Sequence, residues 1–281
     1  MKPAGLFVGL TTLDLVHYVQ RFPAPDEKLQ ADGCWVGAGG PAANAAATFA
    51  ALGGRATLIT AVGTGDLGRL AAADLAAHGV EVIDASAGGE IGVSSVVVDA
   101  RGRRTVVSLN AQELSDQCDP DRVPDLPVVE VVALDGHYPA LAAPLLARRM
   151  LSRAPAVLDP GNWKPQLPEL MDRCGHIIAS AGFDHSAGAD EILRRVERHG
   201  AVLAAVTGGG GPIVASFEGV ATTIEVPAIT AIDTLGAGDV LHGAYAYHLA
   251  TGRPPPEALR AAAVIASRSC EHRGPRIERR R

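Results

Sequence analysis

The segment Asp233-Thr234-Leu235-Gly236-Ala237-Gly238-Asp239 lies between a strand-like stretch and an apolar, alanine-containing helix, and its residue types suit phosphate chemistry. Small residues at Gly236, Ala237 and Gly238 let backbone N–H groups approach a phosphate closely, and a helix N-terminus favours negative charge. A carboxylate in the first helical turn, Asp239, stays ionised beside such amides. It can then take the proton of an alcohol attacking a γ-phosphate. The same residues also suit plain architecture, because Asp near a helix start is a common cap and glycines make turns. The segment by itself leaves both readings open.

Two further glycine segments bear on the choice. In Gly37-Ala38-Gly39-Gly40-Pro41-Ala42-Ala43-Asn44, adjacent glycines run into a helix that carries a polar Asn44 among alanines. A polyol could touch backbone and amide together there; a tight turn with a solvent-facing Asn is the plainer alternative. The run Gly63-Thr64-Gly65-Asp66-Leu67-Gly68 matches GxGxxG, follows a strand, opens a helix and has Asp84 at the end of the next strand. Those are the parts of a dinucleotide-binding turn and keep an NAD(P)-dependent dehydrogenase in view. Asp66 opposes it, since it would set a carboxylate inside the loop meant for pyrophosphate. A phosphate-binding GxxxxGK[ST] loop does not occur.

Positioning such residues needs a scaffold, and the hydrophobic pattern supplies one. Leu6-Phe7-Val8-Gly9-Leu10 reads as a buried parallel strand. Residues 41–52 read as a helix, 56–62 as a strand, 66–79 as a helix and 80–84 as a strand, an alternation that argues for a parallel sheet with crossover helices. The pattern resumes with strands at 128–136, 156–161, 176–180 and 202–209, helices at 140–153 and 190–200, a hairpin-like stretch at 213–227 and two alanine-rich helices closing the chain. Two segments break the pattern: residues 16–36 mix aromatic, charged and proline positions, and residues 91–109 form a β-branched hairpin around Asp99-Ala100-Arg101-Gly102. Together they predict a small sheet apart from the core, acting as a lid.

Composition bounds the function. Of 281 residues, 47% are hydrophobic and 20% charged, which fits a folded globular body. The formal net charge of −6 leaves no global positive field for nucleic acid or an anionic membrane. Arg279-Arg280-Arg281 reads as a solvated tail. Cys34, Cys118, Cys174 and Cys270 lie far apart without zinc-ligand spacing, as expected of reduced thiols in a cytoplasmic protein, and the first residues show neither a signal peptide nor a membrane span. None of the nine histidines has a metal-binding spacing. His17 with Tyr18, and His137, lie near the candidate segments as residues that shape substrate choice or merely pack.

Taken together, Gly39 to Gly53 with the later Gly63, and Asp233 to Ala246, resemble the two signatures of the ribokinase-like (PfkB) carbohydrate kinase family, in the right order and across nearly the whole chain. The resemblance implies a single three-layer α/β/α domain over 1–281 with a mostly parallel sheet, and a β lid from about 11–38 and 89–110. It implies an ATP- and Mg²⁺-dependent kinase for a sugar-like substrate, with lids that pair in a homodimer. Carried over by position, Asp239 matches the catalytic base and Gly236, Ala237 and Gly238 the anion hole. Asp14, Gly39, Gly40, Asn44 and Asn110 match substrate contacts; Thr207 and Gly209 match the nucleotide site. Lys164, after Leu158-Asp159-Pro160-Gly161, is a candidate to offset phosphoryl charge or a surface lysine beside a turn. One departure stands out: the family's Asn-x-x-Glu motif is missing where Ser180 and Asp184 stand, so no metal ligand is assigned. That loss also fits a silent nucleotide- or sugar-binding regulator, whereas the intact loop before Asp239 opposes it. The pattern is similar to the ketose kinases first, to other sugar or sugar-acid kinases second and to nucleoside kinases third.

Overall fold

The computed structural model describes residues 2–109, 118–148 and 153–277. In chain order the elements are β1 (Ala4–Val8), β2 (Thr12–Tyr18), β3 (Gly33–Gly39), α1 (Pro41–Ala51), β4 (Arg55–Thr60), α2 (Asp66–Ala77), β5 (Val80–Asp84), β6 (Gly92–Val98) and β7 (Arg104–Ser108). A short 3-10 turn at Pro120–Arg122 follows. Then come β8 (Val131–Leu134), α3 (Pro139–Ala147), β9 (Ala156–Leu158), α4 (Leu167–Met171), β10 (His176–Ser180), α5 (Ala189–Glu197), β11 (Leu203–Gly208), β12 (Gly211–Phe217), β13 (Val220–Ile224), α6 (Ala237–Ala250) and α7 (Pro255–Ser269).

The large sheet has the order β13-β12-β11-β10-β9-β8-β1-β4-β5. It is parallel from β11 to β5, and β12 and β13 extend it antiparallel. Alternation along each strand divides the core between its two faces. Phe7, Leu58, Val131, Ala133 and Val157 pack with α1, α2, α6 and α7. Leu6, Val8, Ile59, Val132, Leu134 and Leu158 pack with α3, α4 and α5. Strands covered on both sides must be apolar throughout, which is why β1 reads as an unbroken run. This is the expected three-layer α/β/α arrangement.

Phe49 anchors α1 to this sheet. It is fully buried and meets Phe7 edge to face at 5.4 Å between ring centroids, with Gly5 and Gly54 leaving room for the ring. Cutting it to Ala would cost about 3–5 kcal/mol.

The second sheet has the order β3-β2-β6-β7 and is held by antiparallel, parallel and antiparallel pairing in turn. One face carries Val16, Tyr18, Val96 and Val98, packed with Trp35 and Leu235. Its edge strand β7 is exposed along its whole length. Of the helix expected over 140–153, residues 149–152 lie outside the described residues; α3 ends at Ala147, and Arg148 is extended, its guanidinium donating to the carbonyls of Pro120, Val123 and Pro124. Asn110 lies outside the described residues.

Candidate active site

Parallel pairing places the C-terminal ends of the central strands on one edge of the sheet, where the connecting loops can gather ligand-facing groups. Asp135 follows β8 and Asp159 follows β9, while Ser180 ends β10 and pairs in register with Thr207 of β11. Helix α6 covers this edge. His242 on its second turn lies 2.9 Å from the Ile178 carbonyl and 2.8 Å from that of Gly238 in its ring nitrogens, with Asp159 at 3.4 Å.

The start of α6 has the shape expected of an anion site. Gly236 is the N-cap with a left-handed φ of 73°, and a Cβ there would press on Pro275, so glycine is required. No side chain caps the helix end, and a Cβ on Gly238 would meet nothing within 4 Å. Open space in front of a helix N-terminus suits a phosphate.

Helices α1 and α6 cross closely because small residues line the contact. A Cβ on Gly243 would stand 2.3 Å from the carbonyl oxygen of Ala45. That approach brings Asn44 within reach of Asp239, 195 residues away in the chain, and its Nδ2 donates to Asp239 Oδ2 at 2.8 Å. Burial pushes the Asp239 carboxyl up to about 7 and the charges of Asp159 and Asp135 push the same way, against the Asn44 hydrogen bond and His242. A carboxyl poised there suits proton abstraction near neutral pH.

The small sheet supplies the opposite wall. Asp14 is buried on β2, accepts from Thr12 Oγ1 at 2.6 Å and lies flat against Gly39, where a Cβ would collide with its carboxylate. Burial raises its pKa, opposed by hydrogen bonds from Thr12 and Ser94 and by the charge of Arg276. Gly40, at φ 95°, passes so close to the Leu10 carbonyl that any side chain would clash. Tyr18 shares the Asp14 face and its hydroxyl donates to Asp233 at 3.2 Å, so it braces the loop before α6. His17 points to the opposite face of the strand, away from Asp14.

Other expected residues lie further out. Thr207 and Gly209 sit at the end of β11, where a Cβ on Gly208, Gly209 or Gly210 would meet nothing within 4 Å. Asp184 accepts from Ser186 and pairs with Arg195, and these partners hold its carboxyl down to about 2. It is committed to its own loop. Lys164 is half-buried and its charge acts on His137. The Gly63 turn does open α2 from β4, but the Glu90 carboxylate lies against Gly65 where pyrophosphate would have to sit.

Sequence reading missed three contributors. Asp135 is buried and accepts from the backbone of Leu10 at 2.7 Å, Ala42 at 3.1 Å and His137 at 3.0 Å. Burial alone would raise its pKa, but His137 and the amides hold it below the usual carboxylate range. Asp159 and Arg276 are the others. The repeated Leu-Asp at the ends of β8 and β9 is a sequence signal for the two acids; Arg276, beyond the last helix, gives none.

The sequence profile of the pfkB family of carbohydrate kinases matches residues 5–280. The chain is 26% identical to mouse (Mus musculus) ribokinase over 88% of this chain and 82% of that one. It is 23% identical to mouse ketohexokinase over 96% of each chain. A crystal structure of a candidate ribokinase from Agrobacterium tumefaciens superimposes with a TM-score of 0.89 at 26% identity, covering 99% of this chain and 94% of that one. By sequence and fold together, the chain belongs to the pfkB family of carbohydrate kinases.

Proposed function

We propose that this carbohydrate kinase uses ATP to phosphorylate a hydroxyl of a small sugar, a ketose in first place, with Asp239 as the base. The observation that carries the reading is the 2.8 Å contact between Asn44 and Asp239, because it joins the glycine segment suited to a polyol with the glycine segment suited to a phosphate. The acceptor oxygen attacks the γ-phosphorus while its proton passes to Asp239. The bond from the γ-phosphorus to the bridging oxygen breaks, and ADP leaves with that electron pair.

In this reading the amides of Gly236, Ala237 and Gly238 stabilise the charge on the transferring group. Asp14, Gly39, Gly40 and Asn44, with Asn110, orient the acceptor, and Thr207 and Gly209 flank the nucleotide. Magnesium accompanying ATP would screen the charge of its phosphates. Among the described residues no group of three or more His, Cys, Asp or Glu is set to hold a metal, so no protein ligand is assigned to it.

The small sheet acts as a lid that excludes water from the transfer. Its exposed Val106, Val107 and Leu109 support pairing of lids in a homodimer, which sedimentation would reveal as a dimer mass. Four cysteines set far apart along the chain, without zinc-ligand spacing, support a cytoplasmic location; no helix among the described residues is long and apolar enough to cross a membrane. The likeness to ketohexokinase over nearly both whole chains and the absent Asn-x-x-Glu motif favour a ketose. Other sugars or sugar acids rank second and nucleosides third. ADP release from Mg-ATP across a panel of ketoses, aldoses, sugar acids and nucleosides tests this: a ketose should give the highest kcat/KM. A higher value for another class replaces the ketose, and silence across the panel overturns the kinase reading in favour of a binding protein.

A further inference from the structure

Arg276 lies beyond the last helix, yet its side chain reaches into the site and is only 9% exposed. Its Nε donates to Asn44 Oδ1 at 3.3 Å, and its Nη2 donates to the Ala38 carbonyl and to Asp74 Oδ2 at 3.3 Å. Asn44 in turn donates through Nδ2 to Asp239. A guanidinium has donors and no acceptor, so an arginine N–H can face only the oxygen of an amide. The nitrogen of Asn44 is thereby forced toward Asp239.

We propose that Arg276 is a positioning residue that fixes the orientation of the Asn44 amide and so keeps Asp239 in the ionised form able to accept a proton. The inference rests on the reading of Asp239 as the base. With Asn44 in this orientation, its N–H stabilises the carboxylate. Turned over, the amide would present its oxygen, which a protonated Asp239 satisfies and an ionised one repels.

The balance at Asp239 is close enough for this to matter. Asp159 after β9 and Asp135 after β8 favour the protonated form, and His242 on α6 favours the ionised one. Around Arg276 itself stand Asp74 on α2, Asp14 on β2 and Asp239, all of which support its charge against burial. His137 acts on Asp135, and Lys164 in turn acts on His137, one layer further away.

The test is the pH profile of kcat at saturating Mg-ATP. Arg276→Met should move the acid limb upward by about one pH unit or more, the effect of removing a hydrogen bond to a charged group. Activity should then fall about tenfold below neutral pH and recover toward wild type above pH 8 or so. Arg276→Lys, which still offers a donor to Asn44, should restore the limb. Asp74→Asn, which weakens the ion pair and leaves the bond to Asn44, should leave it in place. If Arg276→Met does not fold, Arg276→Leu, which likewise offers no donor to Asn44, should give the same upward shift. A uniform loss of rate with an unmoved limb overturns the proposal, as does an equal shift in Asp74→Asn. Retained turnover in Asp239→Asn would sink the base assignment and this inference together. An inactive Asp239→Asn with an unmoved limb in Arg276→Met would sink this inference alone.

Discussion

Helices α1, α2 and α6 each begin at a glycine-rich turn, and the three starts end up chemically different. At α1 the buried Asp135 accepts from the backbone of Ala42, and Pro41 removes one N–H from the turn, so the chain supplies its own anion. At α2 the Glu90 carboxylate rests against Gly65. At α6 no side chain caps the end, and the space before Gly238 is open. A glycine turn entering a helix is therefore an anion site only where the fold leaves it unfilled. The difference explains why the GxGxxG spacing at Gly63 is structural while the less distinctive loop before Asp239 faces the cleft.

The largest effect that could break this contrast is at the open start. Asp239→Asn should lower kcat by at least about a thousandfold while Mg-ATP binding, followed by calorimetry, persists. The same substitution removes a group whose folded pKa is raised to about 7. Such an acid binds more protons folded than unfolded, so its ionisation destabilises the fold as pH rises through about 7. Asp239→Asn should accordingly raise Tm above neutral pH, by about 2–4 °C for each kcal/mol recovered.

Methyl groups sharpen the comparison between filled and open starts. Gly40→Ala puts a Cβ into the Leu10 carbonyl at a positive φ and should cost about 2–4 kcal/mol in urea unfolding. Gly238→Ala meets open space, so it should leave stability within about 0.5 kcal/mol and instead raise KM for ATP by about tenfold or more. Equal stability losses in the two variants would erase the distinction.

At the plug of α1, Asp135→Asn should destabilise by about 2–3 kcal/mol at neutral pH, because a buried acid with three backbone donors loses its charge. The folded pKa of Asp135 is depressed, so its contribution is present above the unfolded value of about 3.8 and is lost as pH falls through the folded one. His137 is shifted the other way: burial would lower its pKa, and Asp135 raises it. Its contribution is full below about 6.5 and fades as pH rises through the folded value. A plot of stability against pH should therefore lose its acid-side slope in the variant. The smallest effect is expected at α2: Glu90→Gln, at an exposed residue, should change kcat less than about twofold and stability by about 0.5 kcal/mol or less.

Much of this was legible without coordinates. The unbroken apolar run at Leu6–Leu10, the strand and helix alternation and the β-branched hairpin at 91–109 carry the three layers and the small sheet, because periodicity reports which faces are buried. Asp239 and its glycines were also legible, since loop and helix start are neighbours in sequence. Helix ends were less so: α3 stops at Ala147 because Arg148 finds loop carbonyls around Pro120 to Pro124, partners that no local pattern announces.

The sequence by itself determined the fold class, the family and the loop that carries Asp239, all properties of local pattern. Only the tertiary structure decided which glycine turn is open and which is plugged, and it alone brought Asn44, Asp135, Asp159 and His242 to the Asp239 carboxyl, with Arg276 behind Asn44. The reason is geometric: Gly243 lets α1 and α6 close to backbone contact, and that crossing, not any spacing along the chain, brings the Asn44 amide to Asp239.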